Sequence, residues 1–226
     1  AKLYKKEYSA IGSQEEYEQD AYSGLLNNIR ITAKVNGIER VYLIQRNYDR
    51  LDIIDSWQMY LEDNSALWVL RAKRQAIIKE QKQLSFDWTW SNGRRETAFL
   101  DIATGLFPRL VSIVEPGDRK FTSWTTDVQF DALGIETSRL VYANNNPSEW
   151  VMKSERTAID KAGQSVTSRY RKPDGSTGTM TINTQVGKEI AGTIKDIDMG
   201  EGAYETFSYE IQLSDDLREI ARRTKN

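Results

Sequence analysis

Leu84-Ser-Phe-Asp-Trp-Thr-Trp-Ser91 decides how the chain is read. Leu84, Phe86, Trp88 and Trp90 fall on one side of an extended backbone, and Ser85, Asp87, Thr89 and Ser91 fall on the other. That period of two is what a half-buried strand requires. Ser91-Asn-Gly-Arg94 then supplies the residues of a tight reversal. Further runs of the same kind follow at 96–102, 106–114, 120–130, 137–143, 149–157, 166–172, 179–184, 189–195 and 204–213. They are separated by Glu115-Pro-Gly-Asp118, Asn144-Asn-Asn-Pro147, Asp160-Lys-Ala-Gly163, Lys172-Pro-Asp-Gly175, Val186-Gly187 and Met199-Gly-Glu-Gly202. In such segments Gly accepts positive φ, Pro presets φ, and Asx side chains bond their own backbone. About ten short strands without a helix-length insert predict an antiparallel sheet over 84–213. A twisted sheet of that size is expected to close into a barrel or curl strongly.

Outward from this stretch the expected elements change. Ser13-Gln-Glu-Glu16 has the capping-box form and predicts a helix over 14–27. Residues 29–44 are two β-rich runs around Asn36-Gly37, the dipeptide that best supports a two-residue hairpin turn. Leu51, Ile54, Trp57 and Leu61 recur every three or four residues behind Asp49. Leu67, Leu70, Ile77 and Ile78 follow Asp63-Asn-Ser65, so a helix pair is predicted over 49–83. Leu217, Ile220 and Ala221 behind Ser214-Asp-Asp216 predict a short helix in the tail. The expected fold class is therefore α+β, in three units: 1–83 (helix, hairpin and helix pair), 84–213 (barrel or curled sheet) and 214–226 (tail). By architecture alone this order resembles lipocalin-like and fatty-acid-carrier barrels, in which a helix pair lids the mouth; no family signature accompanies the resemblance.

Composition bounds the chemistry. Of 226 residues, 31 are basic and 33 acidic, a formal charge of −2, which argues against nucleic acid as partner. There is no cysteine and no histidine, so disulfides, thiolate or imidazole metal sites and His-assisted nucleophiles are excluded. No apolar run approaches the ~20 residues of a spanning helix. The first residues as given lack a signal peptide's apolar core, which fits either a mature end after processing or a native start that lost its Met; the compartment stays open, with cytoplasm slightly favoured. No P-loop, GxGxxG, GxSxG or HExxH motif is present, and no cofactor is indicated.

Candidate sites come from side chains that alternation could aim inward. Trp88, Trp90, Trp124, Tyr142, Trp150 and Tyr170, with Arg169, could line a pocket for a small hydrophobic or aromatic ligand. Against this, aromatics routinely fill β cores. Met180 and Ile182 alternate with Thr179, Thr181 and Asn183, and either set could face inward. Arg71, Arg74, Lys79 and Lys82 on the predicted second helix form a candidate interface for a protein partner, or a solvated helix face. Asp196-Ile-Asp198-Met-Gly200-Glu201-Gly202 is an acidic turn that lacks the glycine and glutamate of a calcium loop. A carboxylate pair such as Asp87 and Asp101 could meet across a hairpin. The leading expectation is a non-catalytic binding protein with a ligand inside a β-barrel. The alternatives are a structural or assembly protein, such as a virion or multiprotein-complex component, and a histidine-independent enzyme.

Overall fold

The computed structural model of the chain describes residues 2–8, 13–20, 22–113, 123–197 and 204–225. The first eight strands are β1 (Lys2–Tyr8), β2 (Ser13–Gln19), β3 (Leu26–Val35), β4 (Ile38–Tyr48), β5 (Ile54–Leu61), β6 (Asn64–Ile78), β7 (Gln83–Trp90) and β8 (Arg95–Asp101). Next come β9 (Arg109–Ile113), β10 (Ser123–Phe130), β11 (Glu136–Ala143), β12 (Trp150–Asp160) and β13 (Ser165–Arg171). The last four are β14 (Thr177–Asn183), β15 (Lys188–Ile197), β16 (Tyr204–Leu213) and β17 (Glu219–Lys225). Each pairs antiparallel with its neighbour in sequence, from β1–β2 to β16–β17, and no ladder closes the sheet among the described residues.

The α+β class is thereby corrected to an open, all-antiparallel meander. Its only helical pieces among the described residues are two 3-10 turns, Lys79–Gln81 and Pro147–Glu149. Strands β7–β16 take the places of the ten runs predicted over 84–213, and 29–44 forms the predicted hairpin. Asn36 and Gly37 turn it with φ of 52° and 77°. The predicted helices are strands. Within 14–27, β2 pairs antiparallel with both β1 and β3, partners that a capping box cannot reveal.

The helix pair over 49–83 fails for a related reason. Asp49 caps a turn instead of a helix, accepting hydrogen bonds from the Leu51 and Ile53 amides at 2.8 and 3.1 Å. Beyond it Met59 and Leu61 alternate into the core, and Leu51 is left exposed. The tail reads the same way: Ser214 to Arg218 is a hydrogen-bonded turn with Leu217 buried at φ 62°, and β17 follows it. Among the described residues the sheet does not close into a barrel, and strands β5 and β6 stand where the sequence predicts the helical lid.

One sheet face forms the core. Ile44, Met59, Leu70 and Trp90 stand opposite one another across β4–β7. Trp57, Ala72, Trp88 and Glu96 form the next row, and Phe86, Ala98 and Leu110 another. Tyr209, Ile211, Leu213, Val186 and Leu217 from the C-terminal strands and turns complete the same cluster. Two glycines serve this face: the Tyr170 ring lies across Gly178, and the Tyr209 ring across Gly192, each its direct cross-strand partner. A Cβ at Gly178 would strike that ring and the Thr193 carbonyl.

In an unrolled meander, the β3–β4 and β7–β8 turns lie at one end of the sheet. The β12–β13, β14–β15 and β16–β17 turns lie at the other end. A strand-to-strand twist of ~20° accumulates to about half a turn over the nine intervals between β3–β4 and β12–β13, which reverses strand direction and lets opposite ends meet. They are stitched there. Gln164 Oε1 accepts from the Lys34 amide (3.1 Å), and Asn183 Nδ2 donates to the Lys34 carbonyl (3.0 Å). Asn36 Nδ2 donates to the Leu213 carbonyl (2.6 Å) and its Oδ1 accepts from the Leu213 amide (3.0 Å). The Tyr42 hydroxyl reaches the Asp215 carbonyl at 3.1 Å.

The Asn36→Gly variant keeps the turn's positive φ without strain but loses both bonds to Leu213. It is expected to lower unfolding free energy by about 1–3 kcal/mol in urea titrations. A change within about 0.5 kcal/mol, the range of an ordinary surface substitution, would show that the stitch contributes nothing.

Candidate functional site

Strands β10–β14 carry a groove of about 770 Å³. Asp127 and Gln129 line it while the core-facing Val128 between them does not, so it sits on the outer face of the sheet. Register places Ser138, Leu140, Lys153, Glu155, Arg169, Arg171 and Thr177 on that same face. Ladder irregularities at Gln129/Phe130, Val141/Tyr142 and Arg156/Ala158 interrupt these strands. Bulges bend and twist a sheet, which hollows a face that would otherwise be convex.

The groove is cationic, and unevenly so. Lys153 and Arg171 are direct cross-strand partners, and like charges so placed repel. The Lys153 ammonium lies 4.6 Å from the centre of the Trp150 ring and the Arg171 guanidinium 5.9 Å from it, so one indole holds both. Neither cation, nor Arg169, has a carboxylate within ion-pairing distance among the described residues. Arg169 stands opposite Glu155 without pairing with it. The other lining carboxylate, Asp127, is already engaged. It accepts two bonds from Arg109 (2.7 and 3.2 Å) and one from the Tyr142 hydroxyl (2.9 Å). Burial, with Asp127 adding to it, holds the Tyr142 hydroxyl above its ordinary pKa. Arg139 and Arg156 are neutralised by Glu136 and Asp131 at 2.7 and 2.8 Å.

A second cluster lies at the core's edge, where the two halves of the sheet meet. Glu96 is buried and takes three bonds: from Trp90 Nε1 (2.6 Å), Arg94 (2.6 Å) and the Ser112 hydroxyl (2.7 Å). Half-buried Lys188, from the far half of the chain, sets its ammonium 3.6 Å from the Trp90 ring centre. No carboxylate lies within ion-pairing distance of it among the described residues. Burial pushes the Lys188 pKa down to about 8, with Arg94 acting in the same direction and Glu96 against it.

The residues singled out from sequence are dispersed. Trp88 packs edge-on against Trp57 and Phe107, with ring centres at 5.7 and 4.8 Å, and its buried indole nitrogen has no hydrogen-bond partner among the described residues. Trp90 belongs to the Glu96 cluster. Trp124 is half-buried opposite Ala143 and Ser112. Tyr142 supports the groove through Asp127, and Trp150 through Lys153 and Arg171. Arg169 and Tyr170 both border the groove, Tyr170 with its ring lying over Gly178. Met180 is buried and Thr179 and Thr181 are half-buried, their hydroxyls bonding to those of Thr193 and Thr167 at 2.9 and 3.0 Å.

The four basic interface residues share no face, since no helix carries them. Arg71 lies 4.4 Å from the Trp68 ring centre, and Arg74 points inward to Asp49 (2.5 Å) and the Ile54 carbonyl (3.0 Å). Lys79 and Lys82 are exposed in and after the first 3-10 turn. Asp87 and Asp101 do not meet: Gln83 faces Asp101, which leaves Asp87 about 13 Å along the strand. The acidic loop's residues 198–202 lie outside the described residues.

Sequence reading gives no site role to Lys153, Glu96 or Lys188, whereas Arg171 beside Tyr170, and Arg94 at the opening of another strand, read either as cations for a carboxylate ligand or as solvated edge charges. Lys188 had no local signal, because its partners are about a hundred residues away.

Among the described residues no group of three acidic, histidine or cysteine side chains could hold a metal ion, and no helix is long and apolar enough to cross a membrane. No protein-family model matches the chain, and no curated protein matches it in sequence.

Lys188 makes stability depend on pH with a definite sign. The unfolded amine keeps its proton to about pH 10.5, while the native amine releases it near 8. The unfolded state therefore binds more protons between those values, and unfolding free energy rises with pH there. Urea midpoints at pH 7.5 and 9.5 are expected to show this rise in the wild type relative to Lys188→Met. An identical pH response in both proteins would contradict it.

Proposed function

We propose that the protein is a non-catalytic binding protein that takes an anionic ligand in the outer-face groove of β10–β14. The observation that carries this reading is the Lys153–Arg171 pair. Two like charges are held directly opposite each other, without carboxylate partners among the described residues, in a concavity of ligand size. Such an arrangement costs stability in the free protein, and a bound anion would relieve it. Arg169 adds a third cation, and Trp150 limits the freedom of the pair, which lowers the ordering cost of binding. A cationic lining favours phosphate, sulfate or carboxylate groups, for which arginine offers paired donors. The core tryptophans, packed against Trp57 and Phe107, give less support to an apolar ligand than these cations give to an anionic one.

Calorimetric titration with inorganic triphosphate and with a sulfated disaccharide tests the proposal. At least one probe is expected to bind, more weakly as salt is raised, and about tenfold or more weakly to Lys153→Gln/Arg171→Gln, a loss of about 1.4 kcal/mol or more. Binding unchanged in that double variant, or no binding of either probe at low salt, would overturn it.

A further inference from the structure

The second cluster carries a separate inference. Lys188 is half-buried, has no carboxylate within ion-pairing distance among the described residues, and feels the like charge of Arg94. Glu96, the carboxylate that could have neutralised it, has both oxygens engaged by Trp90, Arg94 and Ser112. The amine instead lies over an indole ring that those same bonds hold in place. Arg94 is more than half exposed at 57%, which leaves part of its guanidinium facing solvent beside the amine's cluster.

We propose that Lys188 is a covalent modification site for small carbonyl compounds bearing an anionic group. The amine nitrogen forms a bond to the carbonyl carbon, and the resulting carbinolamine loses water to leave an imine. The nitrogen gives up its two protons in the process, and they depart with the carbonyl oxygen as that water. Arg94 receives the anionic group through the N–H donors not spent on Glu96 and Ser112. The nucleophile is the neutral amine, which an ordinary lysine populates at about one part in a thousand at pH 7.5. With its pKa near 8, Lys188 is neutral in roughly a quarter of molecules at that pH. The site faces the core's edge between β7, β8 and β15, apart from the β10–β14 groove, so it stands or falls independently of the anion-binding proposal.

The test is reductive trapping of the folded wild-type protein with glyoxylate and cyanoborohydride at pH 7.5, read by peptide mass spectrometry at short times. Lys188 is expected to be modified at least tenfold faster than an exposed lysine such as Lys161. In Arg94→Gln, trapping of glyoxylate is expected to slow several-fold relative to trapping of uncharged propionaldehyde. Labelling of Lys188 no faster than Lys161 would overturn the proposal. Equal slowing of both aldehydes in Arg94→Gln would overturn the anionic-group part of it.

Discussion

Every ladder among the described residues joins a strand to its neighbour in sequence, and the twist of those ladders is what the rest of the structure depends on. A flat meander of the seventeen strands found among the described residues would leave one face uncovered and its two halves apart. Twist accumulated over nine or more intervals brings the turns of the C-terminal half onto those of the N-terminal half. There Tyr209, Ile211 and Leu213 cover the row from Ile44 to Trp90, and hydrogen bonds from Asn36, Gln164 and Asn183 fix the meeting. Burial of the aromatic core and the approach of Lys188 to Trp90 both follow from that geometry.

How much of this was legible depended on whether the deciding partner was local. The ten strands after Leu84 showed in period-two runs punctuated by turn residues, and Asn36-Gly37 announced its hairpin, because the information lay within a few residues. The segment 49–83 misled because Leu51, Ile54, Trp57 and Leu61 satisfy helical spacing while Trp57, Met59 and Leu61 also satisfy alternation. Packing against β4 and β7 settles the ambiguity, and strand preference is largely such packing. Asp49 and Ser214 illustrate the same limit, since a residue that caps a helix also closes a turn. Arg74 appeared solvated and is in fact an inward ion-pair member.

The groove was half legible. Arg169 and Trp150 could be picked out as a cation and an aromatic on neighbouring strands, but their roles turn on register. A shift of one residue would exchange Arg169 with Tyr170 and move the charge to the core. Register also sets Lys153 against Arg171, a juxtaposition no single run of sequence displays. Lys188 was illegible for the opposite reason: its surroundings come from strands separated from it by most of the sheet.

The stitch between Asn36 and Leu213 spans 177 residues, whereas each ladder beside it closes a short loop. Hairpins therefore form from nearby sequence at small entropic cost, and the contacts between the halves come last, after the strands that create the twist. Until β16 is in place, the face holding Trp57, Phe86 and Trp88 lacks the cover that Tyr209, Ile211 and Leu213 provide. During synthesis the aromatic surface of β5–β7 emerges more than a hundred residues before β16, and its burial waits for the strand that covers it.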